Sequence, residues 1–180
     1  ANGVSMLASY TWSKTINDAS DGYWNKVDGD MRSWYCRRCD RAISTYNQPH
    51  RLALNGTYEL PVGRGKRFLP GMNKWADAVA GGWQINGIFT LSQGLPLSFD
   101  VSRTHPTLKE DFLRQADLSL FKVFRIRERA QVQFRAEAFN VTNTPVFGAP
   151  GMVLDSGTFG VINGQQNLPR QMQLALKILF

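Results

Sequence analysis

The residues Gln171 to Phe180 alternate without a break. Met172, Leu174, Leu176, Ile178 and Phe180 share one face of an extended chain, while Gln171, Gln173, Ala175, Lys177 and Leu179 share the other. A period of two is the signature of a strand with unlike surroundings on its two faces. Ten residues at about 3.3 Å each, tilted by roughly 45°, rise about 23 Å, close to the outward apolar band of an outer-membrane barrel. Withdrawing five such side chains from water contributes on the order of 10 kcal/mol. An apolar solvent on one side and a wet lumen on the other account for the pattern more economically than a soluble core.

The same period recurs upstream. Val4, Met6, Ala8, Tyr10 and Trp12 alternate with Ser5, Leu7, Ser9, Thr11 and Ser13. Leu52, Leu54, Gly56, Tyr58 and Leu60 alternate with Arg51, Ala53, Asn55, Thr57 and Glu59. Trp83, Ile85, Gly87, Phe89 and Leu91 alternate with Gln84, Asn86, Ile88, Thr90 and Ser92. A fourth run, Asp117–Ile126, keeps Leu118, Leu120, Phe124 and Ile126 on one face with Lys122 as the exception. A fifth, Ala130–Phe139, sets Ala130, Val132, Phe134, Ala136 and Ala138 against Gln131, Gln133, Arg135 and Glu137, which would look into the lumen. The pattern predicts an all-β, antiparallel transmembrane barrel segment of about six strands.

Unequal connections assign the sides, because such barrels have short periplasmic turns and long external loops. Only Arg127, Glu128 and Arg129 separate the fourth and fifth strands, which puts that turn in the periplasm. The long connections around 14–49, 93–116 and 140–169 then lie outside the cell. The connection Pro61–Gly82 is long for a periplasmic turn, and its WADAVAGG stretch predicts a short helix. Tyr10 and Trp12 suit an outer aromatic girdle, and Tyr58 and Trp83 an inner one.

Four strings, NQPHRLALNGTYELPVGRGKRF, GGWQINGIFTLSQGLPLSF, DLSLFKVFRIRERAQVQFRAEAFNVTNTPVFG and SGTFGVINGQQNLPRQMQLALKILF, cover nearly the whole chain. Taken in order, they resemble the carboxy-terminal barrel of large TonB-dependent outer-membrane receptors of the Oar-like type. The resemblance implies a parent barrel of about twenty-two strands around an amino-terminal plug. It also implies import of a bulky nutrient, energised through the TonB system, and reading of the terminal strand ending at Phe180 by the barrel-insertion machinery. The partners expected are therefore outer-membrane lipid, the remaining strands and plug, the insertion machinery and TonB. Residues 1–180 hold neither plug nor energy-coupling box, and the stretch Val101–Gln115 is short for the external loop of that family.

Composition agrees. With 180 residues, 43% hydrophobic and 12% aromatic, the chain could fill one soluble domain. Barrel strands expose only alternate residues to lipid and never show the apolar block of a membrane helix. An open six-stranded sheet in lipid would leave two unpaired edges at several kcal/mol per group, and the smallest spanning barrels have about eight strands. The expectation is therefore that residues 1–180 are the carboxy-terminal portion of a larger barrel.

Candidate chemistry elsewhere is sparse. The net charge of +7 is scattered over turns and diluted by acids in the first loop, which reads as solvated rims rather than a nucleic-acid surface. Cys36 and Cys39 in WYCRRCD suit a local loop disulfide in an oxidising compartment. His50 and His105 lie in different connections, too far apart in sequence to suggest a metal site with the cysteines. VGRGK lacks phosphate-loop spacing and reads as a glycine turn. Asn55-Gly-Thr and Asn140-Val-Thr match glycosylation acceptors only formally. No catalytic triad, cofactor site or metal site is expected, and the ligand-binding residues stay unassigned. The reading from another class is an autonomous β-rich extracellular binding module that uses the aromatic and arginine-rich loop near Trp34.

Overall fold

The computed structural model describes residues 3–18, 35–98, 105, 107–127 and 130–180. Each of the six alternating runs forms a strand. These are β1 (Val4–Trp12), β4 (His50–Glu59), β5 (Trp83–Ser92), β6 (Leu113–Arg127), β7 (Ala130–Phe139) and β8 (Gln171–Leu179). They hydrogen-bond in the order β1-β4-β5-β6-β7-β8, with every neighbouring pair antiparallel. Among the described residues β1 and β8 do not pair, so the sheet is open. A two-stranded antiparallel ladder, β2 (Ile16–Asn17) with β3 (Ala42–Ile43), and the single turn α1 (Arg37–Asp40) sit in the first long connection.

Among the described residues no second layer covers this sheet. The buried apolar side chains among the described residues are Leu97 and Val146, and both lie in connections rather than strands. On the edge strands, Met6, Tyr10, Trp12, Met172, Leu174, Leu176 and Ile178 are 62–77% exposed. A soluble sandwich would have covered such side chains.

The fourth strand is longer than expected. It begins at Leu113 rather than Asp117, because Leu113 and Gln115 pair with Ser92 and Thr90. Arg114, on the apolar face at that end, hides the period in the sequence. A register shift between Arg125 and Arg127 marks a bulge at the other end, where the turn to β7 is short. His50 is also corrected. It opens β4 opposite Trp12 rather than lying in a connection, and the Tyr10 hydroxyl is 2.8 Å from its Nδ1.

The connection between β4 and β5 does contain a helix, α2 (Lys74–Ala80). Asn73 caps it by accepting from the Ala76 N–H at 2.7 Å, and Gly82, at φ +69°, turns the chain into β5. A residue with a Cβ would be strained at that φ. VGRGK forms a turn bridged between Val62 and Phe68, with Gly63 and Gly65 at positive φ.

Candidate functional site

The pairing registers place each residue of one strand beside a residue of the same face in the next. Along one level, Val4, Tyr58, Ile85, Leu120, Ala136 and Leu174 lie opposite one another in succession. One rung away stand Met6, Gly56, Gly87, Leu118, Ala138 and Met172. The apolar sets of all six strands therefore merge into one continuous surface. A family model described as an outer membrane beta barrel domain matches residues 1–110 and 100–173. The chain belongs to the outer-membrane β-barrel family. No curated protein and no solved structure matches it.

For a member of this family, localised in the bacterial outer membrane, the apolar surface is the face that meets lipid. Tyr10 and Trp12 lie at the end that carries the long connections, and Tyr58 and Trp83 at the end that carries α2. Phe180 follows β8 with its ring fully exposed.

The opposite face is mixed but contains a complete polar rung. Ser5, Thr57, Asn86, Ser119, Glu137 and Gln173 are successive partners across all six strands. The Thr57 hydroxyl donates to Asn86 Oδ1 at 2.9 Å, and Asn86 Nδ2 donates to Ser119 Oγ at 3.2 Å. From the other side, the Gln173 amide donates to the Glu137 carboxylate. Arg135 adds an ion pair to Glu137 at 3.5 Å and lies over the Phe121 ring. Gln131, Gln133, Arg135 and Glu137 all fall on this face. Periodicity assigned the face; the rung that joins the strands needed the register.

Lys122, the exception on the apolar face, is resolved by the helix. Its side chain is only 3% exposed. The ammonium donates to the Val79 carbonyl at 2.8 Å and to the Gly81 carbonyl, both at the carboxy end of α2. It also lies over the rings of Trp83, at 5.2 Å, and Phe124, at 4.8 Å. A cation beside orphan helix carbonyls meets the negative end of the helix and satisfies groups that would otherwise lack donors. The Trp83 indole N–H donates to the same Val79 carbonyl at 2.9 Å, and its ring meets Phe134 edge-on at 5.8 Å. Both Lys122 and Trp83 are on the apolar face, so the end of α2 sits on the outer side of the wall.

At the other end, Asn140 organises the connection to β8. It has φ +48° and is 3% exposed. Its amide nitrogen donates to the carbonyls of Thr144 (3.3 Å) and Leu168 (3.0 Å), and its oxygen accepts from the Thr144 N–H at 3.1 Å. Its backbone N–H donates to Asp117 Oδ1 at 2.8 Å, which ties the connection to β6. Asn167 repeats the device between Thr144 and Val146. The Asn140 side chain is thus consumed by the fold, and Asn55 lies within β4. A cleft of about 520 Å3 opens beneath this connection, lined by Leu113, Gln115, Phe139, Gln166 and Gln171 among others.

Cys36 and Cys39 are joined by a disulfide across α1, with Cα atoms 5.3 Å apart. Trp34 and much of the basic and acidic loop around it lie outside the described residues, as do Glu128 and Arg129 of the turn after β6. Among the described residues no group of three or more His, Cys, Asp or Glu side chains could hold a metal ion.

Proposed function

We propose that this chain is a structural, loop-bearing part of the wall of a TonB-dependent receptor that imports a bulky nutrient across the outer membrane. The observation that carries the reading is the polar rung. It runs through Thr57, Asn86, Ser119 and Glu137 directly behind an apolar surface, as a wall between lipid and a wet, plugged lumen requires. The four strings of family-like sequence supply the finer assignment to a receptor.

In this reading the open edges at β1 and β8 are satisfied by further strands, because unpaired edges are not tolerated in lipid. Arg135, Glu137, Gln131 and Gln133 face a plug. Tyr10, Trp12, Tyr58 and Trp83 sit at the two headgroup levels. The terminal stripe from Met172 to Phe180 is the feature that the insertion machinery reads. The disulfide of Cys36 and Cys39 pins an external loop. We assign the chain no catalytic step and no cofactor. A freely soluble binding module is disfavoured, since it would hold six strands of apolar side chains against water.

The test uses the protein purified from outer membranes. A plugged receptor is electrically silent in planar bilayers and binds the purified periplasmic domain of TonB. Steady open-pore conductance without TonB binding would reject the proposal in favour of a porin-like channel.

A further inference from the structure

The connection from Pro61 to Gly82 carries more than a return to β5 requires. Its turn and its helix form one tied unit. The Gly63 N–H donates to the Phe68 carbonyl at 3.1 Å, the Phe68 N–H to the Pro61 carbonyl at 2.9 Å, and the Arg64 N–H to Asp77 Oδ1 in α2 at 2.7 Å. Lys122 and Trp83 hold the carboxy end of that unit on the lipid side of the wall. The unit is therefore continuous with the apolar surface.

What it presents there is both greasy and basic. Trp75 and Val79, four residues apart on α2, are 85% and 68% exposed and share one helix face. Phe68 and Leu69 of the same connection are exposed as well. The same connection contains Arg64, Lys66, Arg67 and Lys74 against the single acid Asp77. Lys66 pairs with Glu59 at 3.6 Å, and Arg67 lies over the Phe68 ring at 5.8 Å. Arg64 and Lys74 are exposed. Aromatic and aliphatic side chains with flanking cations at a membrane boundary are the composition of an interfacial element.

We propose that residues 61–82 are an interfacial foot that binds anionic phospholipid of the periplasmic leaflet. Trp75, Val79, Phe68 and Leu69 enter the boundary between headgroups and acyl chains. Arg64 and Lys74 meet the lipid phosphates. The docking of α2 by Lys122 fixes the depth of the foot relative to the strands.

The experiment reconstitutes the purified protein into phosphatidylcholine vesicles containing a minority of phosphatidylglycerol brominated near the headgroup. The contribution of Trp75 is the difference in fluorescence between the native protein and Trp75→Phe. The expected result is strong quenching of that contribution by the brominated phosphatidylglycerol and protection from aqueous iodide. Double replacement with Arg64→Gln and Lys74→Gln, two exposed positions that leave the hydrogen-bonded unit intact, should lower the local preference for the anionic lipid by roughly fivefold per cation. High salt should act in the same direction. Iodide quenching without lipid quenching would overturn the foot and leave it facing water or a periplasmic protein. Equal quenching by brominated phosphatidylcholine and phosphatidylglycerol, unmoved by the double replacement, would overturn the anionic preference.

Discussion

Replacing Lys122 by methionine tests whether one buried cation holds α2 to the wall. Methionine keeps a stem of similar length between Trp83 and Phe124 and removes the ammonium that reaches Val79 and Gly81. Each hydrogen bond from a charged donor contributes about 1.5–3 kcal/mol. The relief of no longer burying a charge offsets part of that loss. The lost ring contacts, at about 0.5–1 kcal/mol each, are largely replaced by contacts of sulfur with the same rings. The net cost is about 2–3 kcal/mol, and it falls on docking rather than on the sheet, because the strand ladders are untouched. A seven-residue helix is marginal by itself, so undocking should melt it. Hydrogen exchange in nanodiscs reads this directly at the amides of Asp77 and Gly81, which donate to Asn73 and Asp77. Their protection should fall about thirty- to a hundred-and-fifty-fold, the factor that 2–3 kcal/mol represents. Amides of β4 and β5 should keep theirs. Unchanged protection in α2, or an equal loss throughout the strands, would refute the docking role.

Three further perturbations separate the faces and the two ends of the wall. Leu176→Arg, at the centre of the apolar stripe of β8, should destabilise the membrane-inserted state by about 2–4 kcal/mol, while Ala175→Arg on the inner face should cost far less; denaturant titration in vesicles compares them, and equal costs would reverse the assignment of faces. Phe180→Asp should lower the yield of heat-modifiable protein in outer-membrane fractions, and undiminished insertion would count against a terminal assembly signal. Asn140→Gly should cost about 1 kcal/mol for each of the three side-chain bonds to backbone groups that it deletes, and Asn140→Ala about 1–2 kcal/mol more for a Cβ at positive φ; limited proteolysis of the connection before β8 should accelerate in that order.

The strands and their faces were legible because each side chain reports its own surroundings every second residue. Even the glycine rung from Gly56 to Gly87 preserves the period. The helix after β4 was legible from WADAVAGG. The start of β6 was not, since Arg114 stands where an apolar residue would have announced it. Nor was the answer to Lys122, whose compensating carbonyls come from 41 and 43 residues earlier in the chain. Asn140 was equally silent. Its partner carbonyl at Leu168 lies 28 residues onward, so its sequence neighbourhood suggested only a sequon. Contacts of that range depend on register, which a period cannot convey.

The rung from Ser5 to Gln173 has a consequence for how the strands find one another. Lipid and water can proofread only odd slips between neighbouring strands, because a shift of one residue inverts the faces. A shift of two leaves every apolar side chain in lipid and passes that inspection. It would not pass the rung. Sliding β6 by two residues against β5 would set Asn86 opposite Asp117 or Phe121 instead of Ser119. Opposite Phe121 the hand-over of hydrogen bonds from Thr57 through Asn86 ends, and opposite Asp117 it draws on a carboxylate that in the native register serves the Asn140 N–H. The inner face thus acts as a vernier for a wall whose outer face has only a coarse scale.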